Sequence, residues 1–307
     1  MRPRPRPARA EDLLAVAGLL EEAGLPRAGL QDQFPAGYAV VEDEAGAPCA
    51  GGGVEVHGQG PGAEGLLRSV VVAPEARGRG LGAALVRERA AWAGARGLPR
   101  LWLLTTSAAP FFQGLGFEPA SRAAAPPALQ ASAEFAGVCP ASAACLAVDL
   151  TRPQRPGRIV SGGQTGADRG GLAAARALGI PHGGWCPRGR RAEDGLIPAE
   201  WDLQETHSGD YAARTEQNVR DADAVLVLTH GPPQGGSQLT LELADRLGRP
   251  ALHLDLAIWD ELAAAGALRG WLALTPHGTL DVAGSRESSD PGLQTLTQSL
   301  LVRAFKT

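Results

Sequence analysis

Leu66-Leu-Arg-Ser-Val-Val-Val-Ala-Pro74, followed at once by Glu75-Ala-Arg-Gly-Arg-Gly-Leu-Gly82, is the stretch on which the reading of this chain turns. An apolar, β-branched run predicts a strand, the glycines after it predict a turn, and the apolar spacing from Gly80 to Arg96 predicts a helix. A strand that runs through such a turn into a helix leaves backbone N–H groups without partners, aimed at one point where the helix dipole favours negative charge. That arrangement suits a pyrophosphate. Gly78, Gly80 and Gly82 let the backbone approach the ligand, Leu81 opens the helix, and Arg77 and Arg79 add charge-assisted contacts.

Outward from this turn, the first half reads as a helix over Ala10–Ala23, strands over Tyr38–Glu42, Gly51–His57 and Leu66–Val72, and the helix over Gly80–Arg96. A strand over Arg100–Thr105, a short helix over Pro110–Leu115 and a last strand over Ala144–Leu150 complete it. The second half alternates strand and helix: Ile159–Ser161, Asp168–Leu178, Ala224–Leu228, Gln238–Leu247, Ala251–Leu256, Ile258–Leu272, Thr279–Val282 and Gly292–Ala304. Such alternation predicts an α/β fold with a parallel sheet and helices on both faces. Between the halves, Asp149-Leu-Thr-Arg-Pro-Gln-Arg-Pro-Gly157 has two prolines and no periodicity. The 307 residues therefore divide into expected domains at 1–150 and 158–307 joined by a linker at 151–157.

Composition narrows the function classes. The net charge is -4, with 13 arginines against 15 acids in residues 1–150 and 15 arginines and one lysine against 18 acids in residues 151–307. Neither half carries the basic footprint of a duplex-binding domain, so no nucleic-acid partner is expected. Lys306 is the only lysine, which excludes a Walker loop and argues against Schiff-base chemistry. No apolar run reaches the ~20 residues of a membrane helix, so no membrane partner and a cytoplasmic location are expected. The four cysteines are scattered and form no C-x-x-C pair, so they are expected to be reduced. No metal site is expected, since His182 and Cys186 have no third ligand spaced nearby. A homodimer is left open.

The pattern Arg77-x-x-Gly80-x-Gly82 after a strand ending in Ala-Pro, with the later Phe111-Phe-Gln-Gly-Leu-Gly-Phe117, resembles the acetyl-CoA motif of the GCN5-related N-acetyltransferases. The resemblance implies a mixed, mostly antiparallel sheet with flanking helices, and direct attack of an amine on acetyl-CoA in a ternary complex. It also implies that main-chain groups at Val70 and Val72 pair with the pantetheine arm. Two positions depart from the pattern: Phe112 stands where the family often has an acid-donating tyrosine, and Thr105 where many members have asparagine. Phenylalanine cannot donate a proton, so either solvent or another donor protonates the CoA thiolate or the domain is a slow or altered catalyst.

A closer similarity, to the arsenic-resistance N-acetyltransferases of the second type, lies in Leu67-Arg-Ser-Val70, Leu103-Leu-Thr-Thr-Ser-Ala-Ala-Pro-Phe-Phe112 and Ala133-Glu-Phe-Ala-Gly-Val-Cys-Pro-Ala-Ser-Ala143. It implies acetylation of a small amine, such as an amino-acid-like arsenical or a related antimetabolite. Arg68, on the motif strand, either points into the cleft toward a substrate carboxylate or makes a surface salt bridge. Glu64 and Glu134 are candidate bases, and solvated acids otherwise. Cys139 and Cys145 are read as packing residues before arsenic ligands.

In the second half, Ser161-Gly-Gly-Gln-Thr-Gly-Ala-Asp168 leads from a strand straight into a helix, and Gly162, Gly163, Gln164, Thr165 and Gly166 are expected to offer N–H groups to a phosphate. Asp168 is expected there as a ligand-site residue or as a plain helix cap. Arg188, Arg190 and Arg191 should lend cationic character suited to an anion, since three like charges so close repel one another. Tyr211–Arg220 and the loop bearing Gly235, Gly236 and Ser237 read as further polar loops converging on the same sheet edge. Gly162-Gly-Gln-Thr-Gly-Ala-Asp168, His182-Gly-Gly-Trp-Cys-Pro187, Arg214-Thr-Glu-x-Asn218 and Gly235-Gly-Ser237 resemble the molybdenum-carrier proteins, a circularly permuted branch of the Rossmann-like nucleotide-ligand proteins. The resemblance implies a molybdenum cofactor, molybdate or a nucleotide-derived ligand. Glu242 keeps the spacing of a phosphoribohydrolase glutamate from Gly236, but the flanking pattern is altered.

Overall fold

The computed structural model describes residues 4–152 and 154–306, which form two compact units divided at residue 153. Residues 1–3, 153 and 307 lie outside the described residues, and with them part of the expected linker and both chain ends.

The first unit is built on a seven-stranded sheet of order β1-β2-β3-β4-β5-β7-β6. Its strands are β1 Arg6–Pro7, β2 Tyr38–Glu42, β3 Pro48–His57, β4 Glu64–Val72, β5 Arg100–Thr105, β6 Glu118–Pro119 and β7 Ala144–Asp149. Every pairing is antiparallel except β4 with β5. The helices are α1 Leu13–Glu22, α2 Leu30–Gln33, α3 Leu81–Ala95, α4 Ala109–Leu115 and α5 Pro127–Gln130. Successive residues of a strand face opposite sides, so Gly51 against Val16 of α1 and Gly52 against Leu85 of α3 put these helices on opposite faces of the sheet. Val16, Leu20, Val40 and Val71 close one core, and Leu66, Trp102, Leu129 and Cys145 another.

The second unit carries a five-stranded, wholly parallel sheet of order β15-β14-β16-β8-β9. Its strands are β8 Arg158–Val160, β9 His182–Gly183, β14 Ala224–Thr229, β15 Ala251–Asp255 and β16 Thr279–Gly284, while β10 Trp185–Cys186, β11 Arg191–Ala192, β12 Gly195–Leu196 and β13 Gln204–Glu205 form two small pairs beside it. All six residues of β14 are buried, as expected of a central parallel strand covered on both faces. Its helices are α6 Ala167–Leu178, α7 Tyr211–Asp221, α8 Gly235–Leu247, α9 Glu261–Leu272 and α10 Leu293–Phe305. The adjacent β16 residues Val282 and Ala283 meet α6 and the α8 cluster respectively, so helices cover both faces.

One expected loop is a helix. Tyr211–Asp221 forms α7, with the Asp210 side chain accepting from the Ala212 N–H as its cap. Its buried positions are Thr215, Asn218 and Val219, at helical spacing but mostly polar, so an apolar periodicity never shows.

Candidate functional site

β4 and β5 pair only at Gly65 with Leu101 and Leu66 with Trp102, after which β5 continues against β7 over its whole length. Past that point the two parallel strands part. Between them lies a cavity of about 760 Å³, walled by Leu66–Val72 on one side and Leu103–Ser107 on the other, with the start of α3 and Glu134, Cys139 and Phe112 completing its lining. A bulge in β4, where Ser69 takes φ 56°, turns the strand at the widening.

Val70, Val72, Arg77, Gly78, Gly80, Leu81 and Gly82 all line this cavity, whereas Arg79 is exposed beside it. Gly78 and Gly80 have φ of 74° and 80°, which explains glycine there, and nothing lies within 4 Å of where their Cβ atoms would be. The turn is therefore open on its outer side. α3 starts from Gly80, so its first N–H groups and dipole end face that space. Arg77 Nε donates to the Val72 carbonyl at 3.1 Å, pinning the turn to the end of β4.

Deeper in the cavity, Arg68 is buried, and each of its guanidinium nitrogens has an acceptor in the protein. Its Nη1 donates to Glu55 Oε1 at 2.8 Å and lies 2.5 Å from Glu134 Oε1, its Nη2 donates to the Ala28 carbonyl at 2.5 Å, and its Nε to Ser69 Oγ at 3.3 Å. The contact with Glu134 lacks hydrogen-bond angles, so Glu134 Oε1 is a buried acceptor with no hydrogen bond. Burial pushes the Glu134 carboxyl above the usual carboxylate range, against the pull of Arg68. Burial works the same way on Glu55, but the hydrogen bonds and charges of His57 and Arg68 outweigh it and hold Glu55 below that range. The Tyr38 hydroxyl also donates to Glu55, at 3.3 Å.

The other expected bases and ligands are placed differently. Glu64 accepts from the Trp102 indole and is not among the cavity residues. Thr105 Oγ1 accepts from the Ala108 N–H and so caps the approach to α4. Phe112 packs edge-on between Phe111 and Phe117, with centroids at 5.0 and 5.7 Å. Cys145 is buried against Leu66 and Trp102, whereas Cys139 reaches the cavity wall.

In the second unit the Gly162–Asp168 turn is closed by the protein itself. A Cβ on Gly162 would meet the Arg214 guanidinium, one on Gly163 would meet Leu203 and Ile197, and one on Gly166 would lie 2.3 Å from the Ser285 carbonyl. Two of the N–H groups expected to face a phosphate are taken, Gln164 by Asp168 Oδ2 at 3.2 Å and Thr165 by Gln164 Oε1 at 3.0 Å, and the neighbouring Ala167 N–H donates to the Ser285 carbonyl at 3.2 Å. Glu193, between β11 and β12, ties Thr165 to Ser288. Arg169 holds Asp194 through two bonds of 2.6 and 2.8 Å.

The arginine expectation needs correction. Arg190 spends its guanidinium on the carbonyls of Ile197, Pro198, Trp201 and Leu203, at 2.9 to 3.2 Å, so it organises that loop and is not free for an anion. Arg191 donates to Gly209, and Arg188 is exposed. Glu242 is corrected too: it points outward on α8 and accepts from Gln238 at 2.8 Å. Gly235, Gly236 and Ser237 form the first turn of α8.

Arg214, which opens one of the motifs quoted from sequence, and Asp281, which the sequence did not single out, lie beneath the turn. Arg214 Nη1 donates to Asp168 Oδ2 at 3.2 Å, and Asp281 of β16 is buried next to both. Burial, with the neighbouring Asp168 charge, pushes Asp281 up to about 8 against the pull of Arg214, and burial raises Asp168 as well. Gln164 Nε2 and Arg214 Nε are buried donors with no partner in the protein. Among the described residues no group of three or more His, Cys, Asp or Glu side chains could hold a metal ion, and no helix is long and apolar enough to cross a membrane.

The sequence profile of the acetyltransferase (GNAT) domain matches residues 35–119, and that of the circularly permutated YpsA SLOG family matches residues 159–305. A protein of Syntrophus aciditrophicus SB named as a molybdenum carrier is 41% identical over 49% of this chain and 96% of its own, with a TM-score of 0.48. N-acetylglutamate synthase of Neisseria gonorrhoeae, solved with coenzyme A and N-acetyl-glutamate, is 23% identical over 48% of this chain and only 35% of its own (TM-score 0.42). A phosphinothricin acetyltransferase of Sinorhizobium meliloti, solved with acetyl-CoA, is 25% identical over 39% of this chain and 77% of its own (TM-score 0.33). No curated protein matches the chain.

Proposed function

The chain belongs by residues 159–305 to the circularly permutated YpsA SLOG family and is an acyltransferase by the GNAT domain over 35–119, and from that premise we propose that its first unit moves the acetyl group of acetyl-CoA onto the nitrogen of a small amine in the β4/β5 cleft. The observation that carries this reading is the parting of β4 from β5 directly beside an open glycine turn. The turn at Arg77–Gly82 and the N-terminus of α3 hold the pyrophosphate, and the pantetheine arm runs along β4 past Val72 and Val70.

Glu134 takes a proton from the incoming ammonium, which frees the nitrogen lone pair to attack the thioester carbonyl carbon. The carbon–sulfur bond breaks, the sulfur leaves with the electron pair, and the surplus proton that makes the attacking nitrogen cationic passes to the thiolate through solvent, leaving the neutral amide. Phe112 cannot serve as that donor. The carboxylate of an amino-acid-like arsenical would meet Arg68 in the cleft, where each guanidinium nitrogen already has an acceptor in the protein.

Gly82→Glu tests the cofactor assignment. Gly82 has only ordinary contacts at 3.5 Å where its Cβ would be, so the fold should tolerate the change while the added carboxylate repels the pyrophosphate. Acetyl-CoA affinity by calorimetry should fall at least about a hundredfold, since like-charge juxtaposition costs several kcal/mol. Unchanged affinity would remove the assignment.

A second reading concerns the C-terminal unit. The orphaned donors Gln164 Nε2 and Arg214 Nε belong to residues that both contact Asp168 Oδ2, so they suit an oxygen-rich ligand such as a nucleotide phosphate or molybdate. Such a ligand should raise the melting temperature of the intact protein. Gln164→Glu keeps the bonds that Oε1 accepts from the Thr165 and Glu193 N–H groups but puts a charge where the donor was, and should abolish the shift. An equal shift in wild type and variant would place the ligand elsewhere.

A further inference from the structure

We propose that Arg68 is a positioning residue for acetyl transfer: it fastens two separate wall segments of the cleft to the sheet and so keeps water from the thioester until an amine arrives. The inference rests on the acetyltransferase reading and adds to it the residue that closes the cleft.

Two stretches of the cavity wall come from outside the sheet. The loop between α1 and α2 supplies Leu25 and Pro26, and the segment from Glu134 to Pro140 supplies Glu134, Val138 and Cys139. Residues 24–28 are exposed, and the backbone bonds of this loop run back into α1 and into itself: Gly24 N–H to Glu21, Leu25 N–H to Leu20 and Leu30 N–H to Arg27. The second segment is also bonded locally, with the Ala136 N–H donating to Ser132 and the Cys139 N–H to Glu134. Its outer end is held by Arg122, which donates to the Pro140 carbonyl at 2.6 Å, and its Phe135 ring packs on the cluster of Leu66 and Trp102. On the cavity side both stretches meet the same side chain.

That side chain is Arg68. Its Nη2 donates to the Ala28 carbonyl at 2.5 Å, and its Nη1 lies 2.5 Å from Glu134 Oε1 while donating to Glu55 Oε1 at 2.8 Å. Glu55 gives the fork a footing in the sheet, since it lies on β3 and is itself met by the Tyr38 hydroxyl and by His57 Nε2 at 3.5 Å. The loop comes close enough that a Cβ on Gly29 would lie 3.0 Å from Arg68 Nη1, and the left-handed backbone there, φ 74°, requires glycine as well. A planar guanidinium serves several acceptors at once in fixed directions, which the single nitrogen of a lysine cannot do. Segments with few other anchors open most easily, so this fork decides how long each stays on the cleft.

The chemistry gives the closure a use. Water attacking the thioester carbonyl in place of an amine would break the same carbon–sulfur bond and release acetate and coenzyme A, and a closed cleft limits that loss.

The test uses the intact protein. Amide hydrogen exchange is followed by mass spectrometry with coenzyme A bound, and hydrolysis of acetyl-CoA without any amine is followed by CoA release. Arg68→Lys keeps a positive charge beside both acids and loses the fork. Exchange should quicken about tenfold or more in residues 24–33 and in residues 132–140 alike, the loss of about one hydrogen bond to a charged group, while β2 and β5 keep their protection. The kcat for hydrolysis should rise about tenfold or more with the KM for acetyl-CoA unchanged, a split that a merely structural role would not produce. Glu134→Ala removes one branch, leaves Arg68 paired with Glu55, and should quicken residues 132–140 alone. In Arg68→Lys, protection unchanged in either segment, protection lost from β2 and β5 as well, or unchanged hydrolysis would each overturn the inference, and so would loosening of both segments by Glu134→Ala. Failure of the wild-type protein to bind acetyl-CoA would instead overturn the acetyltransferase reading beneath it.

Discussion

The chain contains two glycine-rich turns, each leading from a strand into a helix, and they do opposite things. At Arg77–Gly82 the outer side of the turn is empty: nothing lies within 4 Å of a Cβ built on Gly78 or Gly80, and a cavity opens beside it. At Gly162–Gly166 that side is filled by Arg214, Leu203, Ile197 and the Ser285–Glu287 backbone, and Asp168 and Asp281 are buried beneath. A glycine-rich turn therefore leaves room beside the backbone, and that room is an open cavity in one case and filled by the protein's own chain in the other.

The largest expected effect sharpens this contrast through pH. Asp281 has a folded-state value of about 8 against an ordinary 3.8, so the folded chain holds a proton that the unfolded chain releases. Its contribution to stability is complete below about pH 4 and is lost progressively as pH rises through about 8, a change of several kcal/mol at about 1.36 kcal/mol per unit. Chemical denaturation of the intact protein across that window should show the decline, and Asp281→Asn, which cannot ionise, should flatten it. The same slope in both proteins would mean that Asp281 is ionised in the fold.

A smaller effect separates the turns directly. Gly166 has φ 77° and would place a Cβ 2.3 Å from a backbone carbonyl, so Gly166→Ala should cost about 3 kcal/mol or more from strain and overpacking. Gly82→Ala adds a methyl group in ordinary contact within the first turn of α3, and should be neutral or stabilising by up to about 1 kcal/mol. Melting temperatures that fall equally in both variants would mean that the first turn is as tightly packed as the second.

Much of the architecture was legible along the chain. The strands Tyr38–Glu42 and Arg100–Thr105 coincide with β2 and β5, because a run of apolar and β-branched residues has few other uses. Helix α7 was not legible, since its buried face is made of Thr215 and Asn218 as much as Val219. At the candidate sites, the positions around Gly80 could be placed from sequence because a turn and a helix start are local events. Arg68 could not be judged that way: its partners are 13 residues back, 40 residues back and on the distant segment at Glu134.

The sequence by itself determined the two fold classes and the kinship of each half, because periodicity and motif spacing are properties of the linear chain. Only the tertiary structure decided which polar groups were already spoken for. Arg190 looks from sequence like an anion ligand and is bonded to four carbonyls, whereas Glu64 and Glu134 look alike from sequence as candidate bases and only Glu134 lines the cleft, buried against Arg68. The physical reason is that the reactivity of a charged side chain depends on what satisfies it, and those partners come from segments that only folding brings together.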